Sequence, residues 1–111
     1  GADLLAVSIG NLHGVSQKSA ETINLDLLSQ IKSALPQQFF TLHGGSGISS
    51  DQLNSAISMG VVKININTDL RHQFFQSLKA NLSQYSGDKI YQFLDPVITD
   101  LKSVIKSKFH V

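Results

Sequence analysis

Three short apolar runs, each followed by a polar or glycine-rich turn and then by a segment of helical spacing, restrict this chain more than any other feature. The runs lie near 4–10 (Leu4-Leu5-Ala6-Val7-Ser8-Ile9-Gly10), 38–43 (ending Phe39-Phe40-Thr41-Leu42-His43) and 61–67 (Val61-Val62-Lys63-Ile64-Asn65-Ile66-Asn67). Their β-branched and aromatic residues favour strands, and the first is nearly continuous in its apolarity, as expected where both faces of a parallel strand are covered. Between them, Asn24 is placed to cap a helix carrying Leu25, Leu28, Ile31 and Leu35, closed by Pro36. A second helix from about Asp51 to Met59 carries Leu53, Ala56 and Ile57 and ends at Gly60. Thr68 can cap a third, whose stripe is Leu70, Phe74, Leu78 and Leu82, and a last helix is expected near 95–107 after a polar connector at 83–89.

Strand and helix alternating with short connections imply an α/β fold of right-handed parallel crossovers. With 41% hydrophobic and 15% charged residues, the 111-residue chain reads as globular. A three-stranded parallel sheet leaves two bare edges, whereas an eight-unit TIM barrel takes about 250 residues. The expected architecture is therefore the last three β/α units of a TIM (β/α)8 barrel plus a C-terminal helix, all of 1–111 being one portion of a single barrel domain.

In such folds chemistry collects at the carboxyl ends of the strands. His13, His43 and Asn65 to Thr68 all fall there. In the third strand Val62, Ile64 and Ile66 are expected on one face and Lys63, Asn65 and Asn67 on the other. Gly44, Gly45 and Gly47 allow backbone angles that let amide N–H groups converge on an anion. Ser49, Ser50 and Asp51 then start a helix whose N-terminus adds a field favourable to negative charge. A metal-ligating type of residue thus stands beside a phosphate cradle.

Composition excludes other classes. Nine Lys plus Arg against eight Asp plus Glu give a net charge of +1, without basic residues interleaved with aromatics, so nucleic acid is not the expected partner. No apolar run of roughly 18 residues argues for a membrane span, and no leader is visible, which makes cytoplasm the default location. The absence of Cys excludes disulfides and thiolate-held metal. The chain begins at Gly1 and its only Met is Met59, so a longer parent chain is expected.

Three segments, Gly1 to Gly14 (ending Gly10-Asn11-Leu12-His13-Gly14), Leu42-His43-Gly44-Gly45-Ser46-Gly47 and Gly60 to Leu70, together closely resemble three successive motifs of the class II, zinc-dependent ketose-bisphosphate aldolases. The resemblance spans essentially the whole chain, and the ordered triple is far more specific than any one motif. It implies a TIM barrel in which Zn2+ is held by three histidines, the second and third matched by His13 and His43. It also implies that Gly14, Gly44, Gly45 and Ser46, with Asn65, Ile66, Asn67 and Thr68, contact the phosphate and hydroxyls of dihydroxyacetone phosphate. Main-chain oxygens around Gly14 and Gly44 would hold a monovalent cation, Na+ or K+. The first zinc histidine and the aspartate general acid/base precede this sequence, so no catalytic residue is assigned within it.

The implied reaction is reversible cleavage of a ketose bisphosphate, the metal acting as Lewis acid on charge that develops at the ketose oxygens. The expected partners are a phosphorylated sugar, the remaining N-terminal part of the barrel and further copies in a homo-oligomer. The short interval from His13 to His43 is similar to the branch holding tagatose-bisphosphate and some fructose-bisphosphate enzymes, and Asp95-Pro96-Val97 lacks an arginine that some fructose-specific members carry there. The sugar therefore stays open between the two. Two other readings stand beside this one: a metal-free phosphate-binding barrel, and a non-catalytic domain with a degenerate site. Lys63, a residue type able to form Schiff bases, is read as structural or as an electrostatic neighbour. The 111 residues alone are expected to be inactive and poorly soluble, because parallel edges would be exposed.

Overall fold

A computed structural model of the chain describes residues 1–11 and 22–109. It contains three strands, β1 (Leu4–Ala6), β2 (Phe39–Leu42) and β3 (Val61–Ile64), and four helices, α1 (Leu25–Ala34), α2 (Ser50–Ser58), α3 (Thr68–Leu82) and α4 (Ile90–Lys108). Two compact units result, one from Gly1 to Thr68 and one from Asp69 onward.

The first unit is the repeated strand–helix pattern. Its sheet has the order β1-β2-β3 and both pairings are parallel, with Leu4 opposite Phe39, Ala6 opposite Thr41 and Phe40 opposite Val61. Phe40, Leu42 and Val61 are buried and cluster with Ile9, Ile23, Leu28, Ile48, Leu53 and Ala56, so the core lies between the sheet and helices α1 and α2. Both helices start as their sequences dictate. The Asn24 side chain accepts from Leu27 N–H at 2.8 Å and Ser49 Oγ accepts from Gln52 N–H, each satisfying one of the orphan donors of a first turn. Lys32, near the end of α1, donates to Gln38 O at 3.1 Å and lies 5.7 Å from the centre of the Phe40 ring, fastening the helix end to the entry of β2.

The ladders are shorter than the apolar runs that predict them. Runs expected near 4–10, 38–43 and 61–67 form regular strand only over 4–6, 39–42 and 61–64; past β1 the Ile9 carbonyl accepts from Asn24 N–H, and past β2 and β3 the backbones stay joined only by loop hydrogen bonds such as Asn65 N–H to Leu42 O. The expected alternation of β3 is also corrected. Phe40 pairs with Val61 but Thr41 pairs with Lys63, a register shift that places an extra residue, Val62, in β3. The bulge lets Val61 and Ile64, three positions apart, both pack on the core while Val62 is left 56% exposed. Strict alternation would have put Val62 and Ile64 on one face.

The second unit is built from α3 and α4. Of the stripe expected to be buried on α3, Leu70 and Leu78 are half-buried while Phe74 at 43% and Leu82 at 56% are exposed, and Ser77 is buried. Polar contacts set this pairing: Ser77 Oγ donates to the Asp100 carboxylate in a short hydrogen bond, and Asn81 Nδ2 donates to Ser77 O at 2.8 Å. Asp69 in the first turn of α3 pairs with Lys108 at 2.5 Å. The last helix starts at Ile90, not near 95, and carries Pro96 inside it. Proline is best tolerated in the first turn of a helix, where its missing N–H costs nothing. Here the helix passes through it and gives up one internal hydrogen bond.

Candidate active site

The carboxyl ends of β1 and β2 and the residues just after β3 converge in the first unit. His43 follows β2 directly and is exposed, and with Ala6, Val7, Ser8 and Asn11 it lines a cavity of about 320 Å³. Asn65, the residue after β3, brings its side-chain Nδ2 to 3.0 Å from His43 Nδ1. As placed, the amide donates to Nδ1. Turned over, it would present its oxygen to an Nδ1–H and leave the lone pair on Nε2, so the orientation of the Asn65 amide is coupled to the tautomer of the ring. The sequence placed Asn65 beside the glycine turn by strand parity; the structure places it against the imidazole itself.

The glycine turn is held against β3 by the main chain. Asn65 N–H donates to Leu42 O and Gly45 N–H donates to Asn65 O, both at 2.9 Å. These bonds carry the β2 and β3 backbones side by side past the end of the ladder. Gly45 is buried, and a Cβ there would collide with Ile64 Cγ2 and come within 3.3 Å of Ile66 Cγ1. Its amide is thus committed to the fold, and Gly45 serves the turn through close backbone approach. Gly44 (φ 66°) and Gly47 (φ 83°) take the left-handed angles that shape the loop into Ser49 and α2. Ser46 between them is buried. Ile66, Asn67 and Thr68 run from the site into the first turn of α3, Asn67 exposed and Ile66 and Thr68 half-buried. His13 and Gly14 lie outside the described residues.

Two residues at this site were not singled out by sequence reasoning. Asn11 donates from Nδ2 to His43 O at 2.6 Å, and Ser8 lines the same cavity. The signal for both was a polar side chain interrupting or ending an apolar strand at its carboxyl end. Lys63 is exposed and is not among the residues lining this cavity.

His43, exposed at the end of β2, is a residue type that ligates zinc, and the Asn65 amide fits that use in its turned-over orientation, accepting from Nδ1–H and leaving the Nε2 lone pair open. Among the described residues no group of three or more His, Cys, Asp or Glu side chains could hold a metal ion. No helix among them is long and apolar enough to cross a membrane.

Comparison with known proteins identifies the fold and the family. The chain is 35% identical to a fructose-bisphosphate aldolase of Streptococcus pyogenes, over 100% of this chain and 41% of that protein. It is 43% identical to a fructose-bisphosphate aldolase of Ureaplasma parvum over 79% of this chain and 30% of that protein. The chain thus spans well under half the length of these relatives. Among solved structures, the YdjI aldolase from Escherichia coli K12 superposes with a TM-score of 0.75 at 30% identity, covering 97% of this chain and 38% of that one. A structure described as a putative fructose-1,6-biphosphate aldolase from Coccidioides immitis superposes with a TM-score of 0.83 at 18% identity, over 97% of this chain and 37% of that one, a likeness of fold. These neighbours place the three β/α units within a TIM barrel. A family model described as fructose-bisphosphate aldolase class-II matches residues 1–111, and the chain belongs to that family.

Proposed function

We propose that this chain is the C-terminal part of a zinc-dependent aldolase that reversibly cleaves fructose 1,6-bisphosphate to dihydroxyacetone phosphate and glyceraldehyde 3-phosphate. The observation that carries the reading is His43 at the end of β2, ring held by Asn65, beside a cavity and a glycine turn pinned to β3. The sugar is taken from the names of the relatives.

In this reading His13 and His43 are two of three zinc ligands, and the third, with the aspartate general acid/base, comes from upstream sequence. Zinc bound there supplies a Lewis acid for the ketose carbonyl. The chain's own residues bind and orient. Gly14, Gly44 and Ser46 receive the phosphate of the dihydroxyacetone half, with Gly45 setting the backbone approach that shapes the turn. Asn65, Ile66, Asn67 and Thr68 meet the phosphate and hydroxyls, two amides suiting a polyhydroxylated ligand. Phosphate contacts remote from the reacting carbons hold them in register, so their loss lowers turnover as well as binding. Main-chain oxygens near Gly14 and Gly44 take a Na+ or K+ ion. The protein works in the cytoplasm as a homo-oligomer.

The test is cleavage of fructose bisphosphate by the full-length protein, before chelation, after it, and after zinc is restored. Activity lost and then recovered supports the proposal. Activity indifferent to chelation overturns the metal assignment and directs attention to Lys63. A preference for tagatose 1,6-bisphosphate, the reading suggested by the short His13–His43 interval, would replace the substrate but keep the mechanism.

A further inference from the structure

The β1–β2 ladder closes at the Ala6–Thr41 pair, and Leu42 O is already taken by Asn65 N–H. The His43 carbonyl lies beyond the paired residues of both ladders, within reach of the Asn11 side chain. Its Nδ2 donates to His43 O at 2.6 Å, while its Oδ1 accepts from Ile9 N–H at 3.0 Å.

The anchor behind Asn11 belongs to the core. Ile9 is fully buried in the core, and its carbonyl accepts from Asn24 N–H at 2.7 Å, the same Asn24 that caps α1. Gly10, at φ 90°, turns the chain so that Asn11 can reach back to Ile9 and across to β2. The Asn11 amide therefore ties the main chain of His43 to the core, as Asn65 contacts its ring.

We propose that Asn11 is a positioning residue for metal binding: its side chain fixes the His43 backbone so that the imidazole is presented to the metal in one orientation. This rests on the reading of His43 as a zinc ligand. Supporting groups of this kind, one step removed from a metal, are worth about 10- to 100-fold in metal affinity.

The experiment uses the full-length protein with Asn11→Asp, Asn11→Ser and His43→Ala. Asn11→Asp keeps an oxygen for Ile9 N–H and the volume of the side chain, but sets a carboxylate oxygen against His43 O. Asn11→Ser keeps a short oxygen acceptor and removes the reach to His43, and it serves if the aspartate variant does not fold. Zinc affinity is measured by competition with a chromophoric chelator, and ligand geometry by the visible absorption of the cobalt-substituted protein. Circular dichroism confirms folding.

The expected result is zinc affinity about 10- to 100-fold weaker in the Asn11 variants, with a shifted cobalt spectrum and loss in kcat exceeding any change in KM. Wild-type zinc affinity and an unchanged cobalt spectrum in a folded Asn11 variant, with His43→Ala defective, would overturn the role of Asn11 alone. Undiminished zinc affinity in His43→Ala would overturn the ligand reading and the Asn11 proposal with it.

Discussion

Gly45 offers the sharpest test of how the turn is built. Its backbone does not take a positive φ, so Gly45→Ala meets no intrinsic torsional objection. The obstacle is space. The added methyl would overlap Ile64 Cγ2 and press on Ile66 Cγ1 at 3.3 Å and Asn65 O at 3.4 Å, while the Gly45 N–H to Asn65 O bond holds the two backbones together. Either that bond stretches or β3 shifts, and overpacking of this kind costs about 1–3 kcal/mol. Taking about 2 kcal/mol, the Tm of the full-length protein should fall by roughly 4–8 °C, at roughly 2–4 °C per kcal/mol for a chain of its size class. Because Asn65 also orients His43, substrate KM should rise in the same variant.

Gly10 is the control, since its φ is 90° but a Cβ would come no nearer than 3.7 Å to Thr22 O. Gly10→Ala should cost about 1–2 kcal/mol through backbone strain alone, and Gly10→Asn less, because asparagine tolerates left-handed angles. At Gly45 the order should reverse, asparagine being worse than alanine. Thermal melts of the four variants decide it. A Gly45→Ala protein as stable as wild type, or an asparagine better than alanine at 45, would refute the steric account.

Other substitutions probe separate parts of the structure. Asn24→Ala removes the α1 cap and the acceptor for Leu27 N–H, and denaturant unfolding should show a loss of about 1 kcal/mol. Ser77→Ala leaves the Asp100 carboxylate without its hydroxyl donor in the second unit and should cost about 1–3 kcal/mol by the same assay; a neutral result would mean that water replaces the hydroxyl at no cost. Lys63→Met should leave fructose bisphosphate turnover within a few fold of wild type and insensitive to borohydride, whereas abolished turnover with intact zinc content would assign the lysine a chemical role.

Much of the fold was legible because period and punctuation are local. Asn24, Ser49 and Gly60 delimit α1 and α2 through hydrogen bonds and angles decided within a few residues, and the apolar runs announce three parallel strands. The extent of α4 was less legible, since it begins at Ile90, five residues before the start expected from its apolar spacing, and runs through Pro96. Of the site, His43, the glycine turn and Asn65 could be named from strand ends and a family resemblance.

The sequence by itself determined the order of elements, the α/β class and the residue types at the strand ends, because these follow from side-chain periodicity and local capping. Tertiary structure decided what each residue does. The bulge that exposes Val62 exists because β3 must match β2, and the burial of Ser77 depends on a carboxylate 23 positions away. The commitment of Gly45 N–H to Asn65 and the reach of Asn11 to His43 join residues 20 or more positions apart. Such contacts are set by the meeting of strand ends, a property of three-dimensional packing that no local pattern encodes.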